Sequence, residues 1–338
     1  MRSHLLLSIA TLTLATAALA QDRDRGPRPR REAPPVELKH LTFRESSLHS
    51  DAVQQDMPFG VYLPLGYDDE ANKDVRWPLV IWLHGMFEDH LRFHERGGAE
   101  VLDRAIADGK LPPCVFVTAN GGRFSMYVNR KDQRWQDLIT ADLLTHVSKQ
   151  YRVSTRREQR AILGVSMGGM AALRIAFTHP ELFGAVGAHS SAVFPADPAQ
   201  LPEGMKKRAR DFGLDEVFGN PIEKEPWQQA NPLCLAEAAD VDKLKTLRIY
   251  FDAGTRDRYG FDKGNTLLHE ALDKRKVEHT WRLIDGGGHS WGAGFQDQTL
   301  PFSFAVVGEM FAAAAKPAAK APAGGSGDSA PATGGDPR

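Results

Sequence analysis

Cysteine is nearly absent: only Cys114 and Cys234 occur in 338 residues, and no C-x-x-C pair is present. A disulfide framework and a cysteine-built zinc cluster are therefore both excluded. A single bridge between the two is permitted by count alone. Cys114 lies in the strand-like run Cys114-Val115-Phe116-Val117, which reads as a buried thiol. An excess of charge of one sign is also missing, since the formal net charge is -1. Such a balance offers no electrostatic basis for binding nucleic acid or an anionic membrane surface. Beyond the first twenty residues no apolar run is long enough to span a bilayer, and no internal repeat is visible.

The first twenty residues have their own logic. Arg2 precedes an apolar run from Leu5 to Leu19, which closes on Ala18-Leu19-Ala20. A positive start, a short apolar segment and a small-x-small end describe a signal peptide cleaved after Ala20. The mature chain is then expected to be secreted or periplasmic, without stable membrane association. Removal of Arg2 takes the net charge from -1 to -2. Residues 21–35, rich in Arg, Asp and Pro, read as a flexible leader. Residues 316–338, rich in Ala, Pro and Gly, read as a disordered tail. Residues 36–315 remain, enough for one large α/β domain.

Within that domain, apolar strand-like runs alternate with helical patterns. The runs are Gly60–Leu63, Leu79–Leu83, Cys114–Thr118, Ala161–Leu163, Ala185–His189, Leu247–Phe251 and Thr280–Ile284. Helical spacing appears over Ala99–Ala107, Trp135–Val147, Met170–Phe177 and Asn265–Lys274. Nearly continuous apolar strands separated by helices predict a mostly parallel, doubly wound sheet covered on both faces. Residues 194–243 break the alternation with six prolines and scattered charge. That stretch is too long for a plain connection and reads as a small cap or lid.

The chemistry is announced by Gly164-Val165-Ser166-Met167-Gly168, which joins an apolar strand to a helix-forming stretch. A G-x-S-x-G turn in that context bends the chain so sharply that only small neighbours fit, and it projects the central hydroxyl from the sheet edge. A serine hydroxyl needs a base to take its proton. In this arrangement the acid and then the histidine follow the serine along the chain. His289 stands after the Thr280–Ile284 run on Gly286-Gly287-Gly288, which permits a sharp turn; it is the expected base. Asp257 is the expected acid, carried back by a Gly-Thr turn. Asp252 is the alternative and otherwise braces that turn, while Asp285 stands too close to His289 to orient it.

A developing oxyanion requires two backbone N–H donors. Met167, next after the serine, supplies one. His84-Gly85-Met86-Phe87, after the Leu79–Leu83 run, supplies the other from Met86, with Phe87 as the neighbouring alternative. His84 itself reads as a structural hydrogen-bonding residue. Trp227 in the lid and Trp291 beside the histidine are the expected substrate contacts. No metal is expected at His84, His90 and His94, and His269 and His279 read as solvated side chains. No metal and no cofactor is expected.

These motifs together resemble the esterase D-like family of α/β-hydrolases, which includes feruloyl and acetylxylan esterases, S-formylglutathione hydrolases and mycolyltransferases. The resemblance covers most of residues 45–311. It runs through Val61-Tyr62-Leu63-Pro64, Pro78–Gly85, Gly164–Gly169, His179-Pro180-Glu181-Leu182-Phe183, Asn231-Pro232-Leu233, Asp252–Asp257 and Gly286–Trp291. It implies an α/β-hydrolase fold with a Ser166, His289, Asp257 triad, the acid after a Gly-Thr turn as in the family. Where the family carries a glutamate in the helix before the elbow, this chain has Asp142, a departure that touches packing or a secondary hydrogen bond rather than the triad. The implied activity is a serine carboxylic-ester hydrolase acting on a small-molecule or polysaccharide ester, such as a feruloyl or acetyl ester. An acyltransferase to a sugar hydroxyl and a non-catalytic carbohydrate-binding protein of the same fold are the alternatives. Intact Ser166, Asp257 and His289 weigh against the last.

Overall fold

Short runs in which every residue is apolar leave no face for solvent, so they must lie between two layers. Leu79–Leu83 and Ala185–His189 are buried at all five positions each. The computed structural model describes residues 35–289 and 295–315. The expected signal peptide, nearly all of the leader, the tail and Trp291 lie outside the described residues.

The strands are β1 (Leu41–Ser50), β2 (Gln55–Pro64), β3 (Leu79–Leu83), β4 (Val115–Ala119), β5 (Asn129–Arg130), β6 (Gln133–Arg134), β7 (Arg160–Val165), β8 (Ala185–His189), β9 (Arg248–Gly254) and β10 (Thr280–Ile284). Eight of them form one sheet in the order β1-β2-β4-β3-β7-β8-β9-β10, and β5 pairs with β6 in a separate hairpin. Pairings from β4 to β10 are parallel, while β1–β2 and β2–β4 are antiparallel. The mostly parallel, doubly wound sheet expected from the sequence is therefore present.

Side-chain alternation splits the core into two layers. Leu79, Ile81 and Leu83 of β3 join one cluster with helices α2 (Met167–Thr178) and α3 (Phe261–Lys274). Val80 and Trp82 join the other, with α1 (Gly98–Ala107) and α4 (Phe295–Ala315). Every parallel strand ends at the same edge of the sheet, and the loops at that edge carry Gly85, Ser166, Asp257 and His289.

The 194–243 stretch folds as short helices, among them Glu203–Lys207, Leu214–Phe218, Lys224–Ala230 and Pro232–Ala238. Asn231 ties it to the core by donating through Nδ2 to Phe194 O at 2.8 Å and capping the Pro232 helix through Leu233 N–H. Besides the β5–β6 hairpin and some short helices, two longer elements went unread in the sequence. β1 is a half-exposed edge strand with only Leu41, Phe43 and Leu48 apolar, and α4 carries Pro301 inside it, a residue that argues against a helix interior.

Candidate active site

The serine turn has a steric cause visible atom by atom. Ser166 sits at φ 56°, ψ −116°, between the end of β7 and the first residue of α2. A Cβ on Gly164 would stand 2.4 Å from Gly168 O, and one on Gly168 would stand 2.1 Å from Leu83 O. Neither position admits a side chain, so the strand can pass this closely only with glycine at both. A non-glycine residue at such angles costs about 1–3 kcal/mol and persists only where its surroundings hold it. Here they do: Ser166 N–H donates to His189 O at 2.8 Å, and Ala192 N–H donates to Ser166 O at 3.0 Å.

The hydroxyl so presented meets a histidine. His289 Nε2 lies 3.0 Å from Ser166 Oγ, and His289 Nδ1 lies 2.7 Å from Asp257 Oδ2. A proton on Nδ1 donated to the carboxylate leaves the Nε2 lone pair toward the serine O–H. The two loops carrying acid and histidine are laced together. Arg256 N–H donates to Gly287 O at 2.8 Å, Thr255 N–H to Ile284 O at 3.0 Å, and Gly286 N–H to Thr255 Oγ1 at 2.9 Å. A Cβ on Gly254 would reach within 2.1 Å of Gly287 O, so that glycine is what lets the loops touch. Tyr259 N–H donates to Asp257 Oδ1 at 2.8 Å, and the Tyr259 ring meets His289 edge-on at 4.6 Å.

Asp252 has a different neighbour. It is wholly buried, with Oδ2 2.7 Å from His189 Nδ1 and accepting from the Tyr250 hydroxyl at 2.8 Å. Burial and the adjacent carboxylate both push the Tyr250 phenol far up. His189 reaches on to Ser303 Oγ at 3.1 Å, tying the strand ends to α4. The role of His189 was missed in the sequence, where it ends an apolar run and carries no motif. Asp285 accepts from the Thr255 hydroxyl at 3.2 Å, on the far side of the histidine turn. Asp142 accepts from Ser50 Oγ at 2.6 Å and Ala52 N–H at 2.9 Å, away from Ser166.

The loop after β3 is held by its own side chains. His84 is buried, with Nδ1 2.7 Å from Gly85 O and Nε2 3.1 Å from Gly121 N. One neutral tautomer satisfies both, Nδ1–H donating and Nε2 accepting. Burial lowers the His84 pKa, in keeping with that neutral form. Gly85 N–H donates to Glu88 Oε2 at 2.9 Å, and Glu88 Oε1 faces Arg92 Nε at 3.4 Å and Arg96 Nη2 at 3.3 Å. Phe87, at φ 66°, donates its N–H to Arg123 O at 3.0 Å. That amide is already engaged, whereas Met86 N–H has no acceptor among the described residues. Met167 N–H, at the first position of α2, has no partner within its helix. Arg174 of α2 clamps the adjoining loop through Met126 O at 3.0 Å and Tyr127 O at 2.6 Å. Its burial lowers the guanidinium to about 10.

Ser166 and His289 open on a cavity of about 920 Å³. Gly85, Met86 and Met167 line it, together with Phe194, Met205, Phe212 and Leu214 of the 194–243 stretch. Trp227 does not reach it, and the expectation that it contacts substrate is corrected here. Its ring is 1% exposed, packed on Phe194 at 4.8 Å and Phe218 at 5.1 Å, with Nε1–H donating to Pro195 O at 2.9 Å. It anchors the inserted helices from behind. Phe212, only partly buried, points to the cavity instead.

The remaining expected residues have separate surroundings. His94 Nδ1 lies 2.9 Å from the Tyr62 hydroxyl, and His90 Nε2 lies 3.8 Å from Glu45, so neither ring joins His84. Both cysteines are free thiols, and burial pushes Cys114 up to about 12.

A doubly wound sheet with a serine on a strand-to-helix elbow and an acid and histidine on later loops defines the α/β-hydrolase class. Residues 50–301 match the Esterase family, and the chain belongs to it. A ferulic acid esterase structure superposes with TM-score 0.66 at 25% identity, covering 80% of this chain and 99% of that one. An endo-1,4-β-xylanase/feruloyl esterase of Xylanibacter ruminicola is 26% identical over 176 residues, 50% of this chain and 24% of that protein. An esterase of Mycobacterium tuberculosis is 26% identical over 245 residues, 65% of this chain and 50% of its own length. The chain thus spans about a quarter of the first of these longer relatives and half of the second.

Proposed function

We propose that the protein is an exported serine carboxylic-ester hydrolase in which Ser166, His289 and Asp257 act as the catalytic triad. The observation that carries this reading is the unbroken chain from Ser166 Oγ to His289 Nε2 and from Nδ1 to Asp257 Oδ2, at 3.0 and 2.7 Å.

The serine oxygen attacks the ester carbonyl as His289 Nε2 takes its proton. The resulting oxyanion accepts from the Met167 and Met86 N–H groups, whose dipoles are fixed before the charge develops. His289 then returns the proton to the leaving alcohol as the C–O bond breaks, and an acyl-serine remains. Water gives its proton to His289 and attacks that acyl group, releasing the acid and restoring the serine. Asp257 holds the imidazole tautomer and stabilises the imidazolium without taking its proton.

The acyl group lies under the 194–243 cap, against Phe212 and Met205. An aromatic or similarly bulky acyl chain suits that apolar surface, and feruloyl-type esters of polysaccharide are the leading substrates, in line with the relatives' names. Export rests on the signal-like residues 1–20; N-terminal sequencing of secreted protein should start at Gln21. A panel of p-nitrophenyl, acetyl-xylose and feruloyl esters, run with and without an acceptor sugar, tests the substrate class. Hydrolysis of feruloyl esters regardless of sugar is expected. Turnover that depends on the sugar, with acylated sugar as product, would replace hydrolysis by acyl transfer.

A further inference from the structure

Near the outer edge strand β10, away from the serine, three ligating side chains converge. His269 and Asp273 lie one turn apart on α3, and His279 lies just before β10. One ligand atom from each is within 4.8 Å of the other two. His269 Nδ1 and His279 Nε2 are 2.8 Å apart, and His269 Nε2 faces Asp273 Oδ2 at 3.7 Å.

The proton positions give this cluster its meaning. His279 Nδ1 lies 2.8 Å from Val277 O, a carbonyl that can only accept, so Nδ1 carries a proton. In the neutral ring Nε2 is then a bare lone pair aimed at His269. If His269 answers with a proton on Nδ1, its own Nε2 turns a lone pair toward the Asp273 carboxylate. A metal ion held by His279 Nε2, one His269 nitrogen and the carboxylate would occupy these lone pairs.

Several features favour an ion. The Nδ1–H to carbonyl bond is the outer contact that orients metal-binding imidazoles and raises their basicity. Both rings are braced, His279 by Phe251 at 5.6 Å and 14° and His269 by Trp281 at 6.2 Å and 26°. The Asp273 side chain is 65% exposed and that of His269 33%, so an ion can enter from solvent. The triad makes no use of any of them. His269 stands about 12 Å along α3 from Phe261, which lines the catalytic cavity.

We propose that His269, Asp273 and His279 bind a divalent transition ion, with zinc the best match to two imidazoles, a carboxylate and water. Tetrahedral zinc at about 2.0–2.1 Å from each nitrogen needs the two nitrogens about 3.3 Å apart. The rings must therefore separate by about half an ångström around His269 Nδ1 and His279 Nε2, and the exposed Asp273 carboxylate, which faces His269 Nε2, must swing round to the ion. The ion ties the C-terminal half of α3 to the start of β10, whose far end leads into the His289 loop.

The test uses the full chain stripped of metal with a chelator, then dialysed against zinc and heated with and without it. One zinc per chain and a melting temperature raised by a few degrees are expected, because ligand binding to the folded state alone stabilises it. His269→Gln and His279→Gln should each remove both effects. Asp273→Asn, at an exposed position that leaves the fold intact, should weaken zinc at least tenfold. Ester hydrolysis by the metal-free chain should be unchanged. Absence of saturable binding below about 0.1 mM zinc would overturn the proposal. So would stoichiometry and melting shift that survive in the His269→Gln/His279→Gln double variant, since zinc would then sit on other histidines.

Discussion

Asp252 Oδ2 lies 2.7 Å from His189 Nδ1, the same distance that separates Asp257 Oδ2 from His289 Nδ1. Two carboxylate–imidazole pairs thus stand near one edge of the sheet, the first between paired strands β8 and β9 and the second between the loops that follow β9 and β10, and their surroundings differ. The His289 ring faces a cavity and the serine. The His189 ring is sealed among Asp252, Ser303 and the sheet, and its carbonyl accepts from Ser166 N–H.

The pairs should therefore fail in different ways. Asp257→Asn should lower kcat by about 10⁴ with the fold retained, by analogy with other triads. Asp252→Asn should lose about 1–3 kcal/mol of stability, because His189 and the Tyr250 hydroxyl lose the buried carboxylate they share. Paired urea melts and steady-state kinetics separate the two. A folded Asp252→Asn protein with the larger kcat defect would reverse the roles.

Much of this site was legible in the sequence because its geometry is written in glycine. Gly164, Gly168 and Gly254 stand where a Cβ would meet backbone, so the residues they free, Ser166 and His289, are marked by spacing alone. The parallel strands were legible for a similar reason, since burial on both faces demands unbroken apolar runs. The inner surroundings were not. Trp227 advertises a large apolar ring but not the direction it faces, and tertiary packing turns it inward. His189 belongs to no motif, and its partner lies 63 residues away. β1 hid because an edge strand alternates only weakly, and α4 because Pro301 interrupts its pattern.

The two aromatic residues of the cap divide the labour. Trp227→Ala should cost about 3–5 kcal/mol, as expected when a fully buried large ring is removed. Phe212→Ala should leave the melting temperature close to wild type and shift selectivity away from bulky acyl chains. Acyl-chain profiles and thermal melts of both variants check this. A stable Trp227→Ala protein with an altered profile would restore Trp227 to the substrate.

The loop after β3 predicts a kinetic signature. Glu88→Gln removes the charge that receives Gly85 N–H and Arg92 while keeping its shape. If that contact aims the Met86 amide, kcat should fall about ten- to a hundredfold with KM nearly constant, a fraction of the loss seen when an oxyanion donor is removed outright. A change confined to KM would assign Glu88 to ground-state binding instead.

Acid should destabilise the fold through its buried neutral histidines. Burial holds the His84 and His90 pKa values below the ordinary imidazole value. Below about pH 6.5 the unfolded chain then binds more protons than the folded one. Stability from this source is complete above that pH and is lost as pH falls through the lower folded values. Urea midpoints measured from pH 8 to pH 5 should be flat at first and then decline. A midpoint that rises on acidification would contradict the neutral, doubly bonded His84.

The central claim is that Ser166 is the nucleophile. The direct measurement is labelling by a fluorophosphonate, read on intact protein by mass spectrometry, for wild type and Ser166→Ala, alongside ester turnover and circular dichroism. The account predicts one adduct per wild-type chain on Ser166. In the alanine variant it predicts neither adduct nor turnover, with an unchanged spectrum. A single adduct or undiminished hydrolysis in the folded Ser166→Ala protein would place the chemistry on another residue.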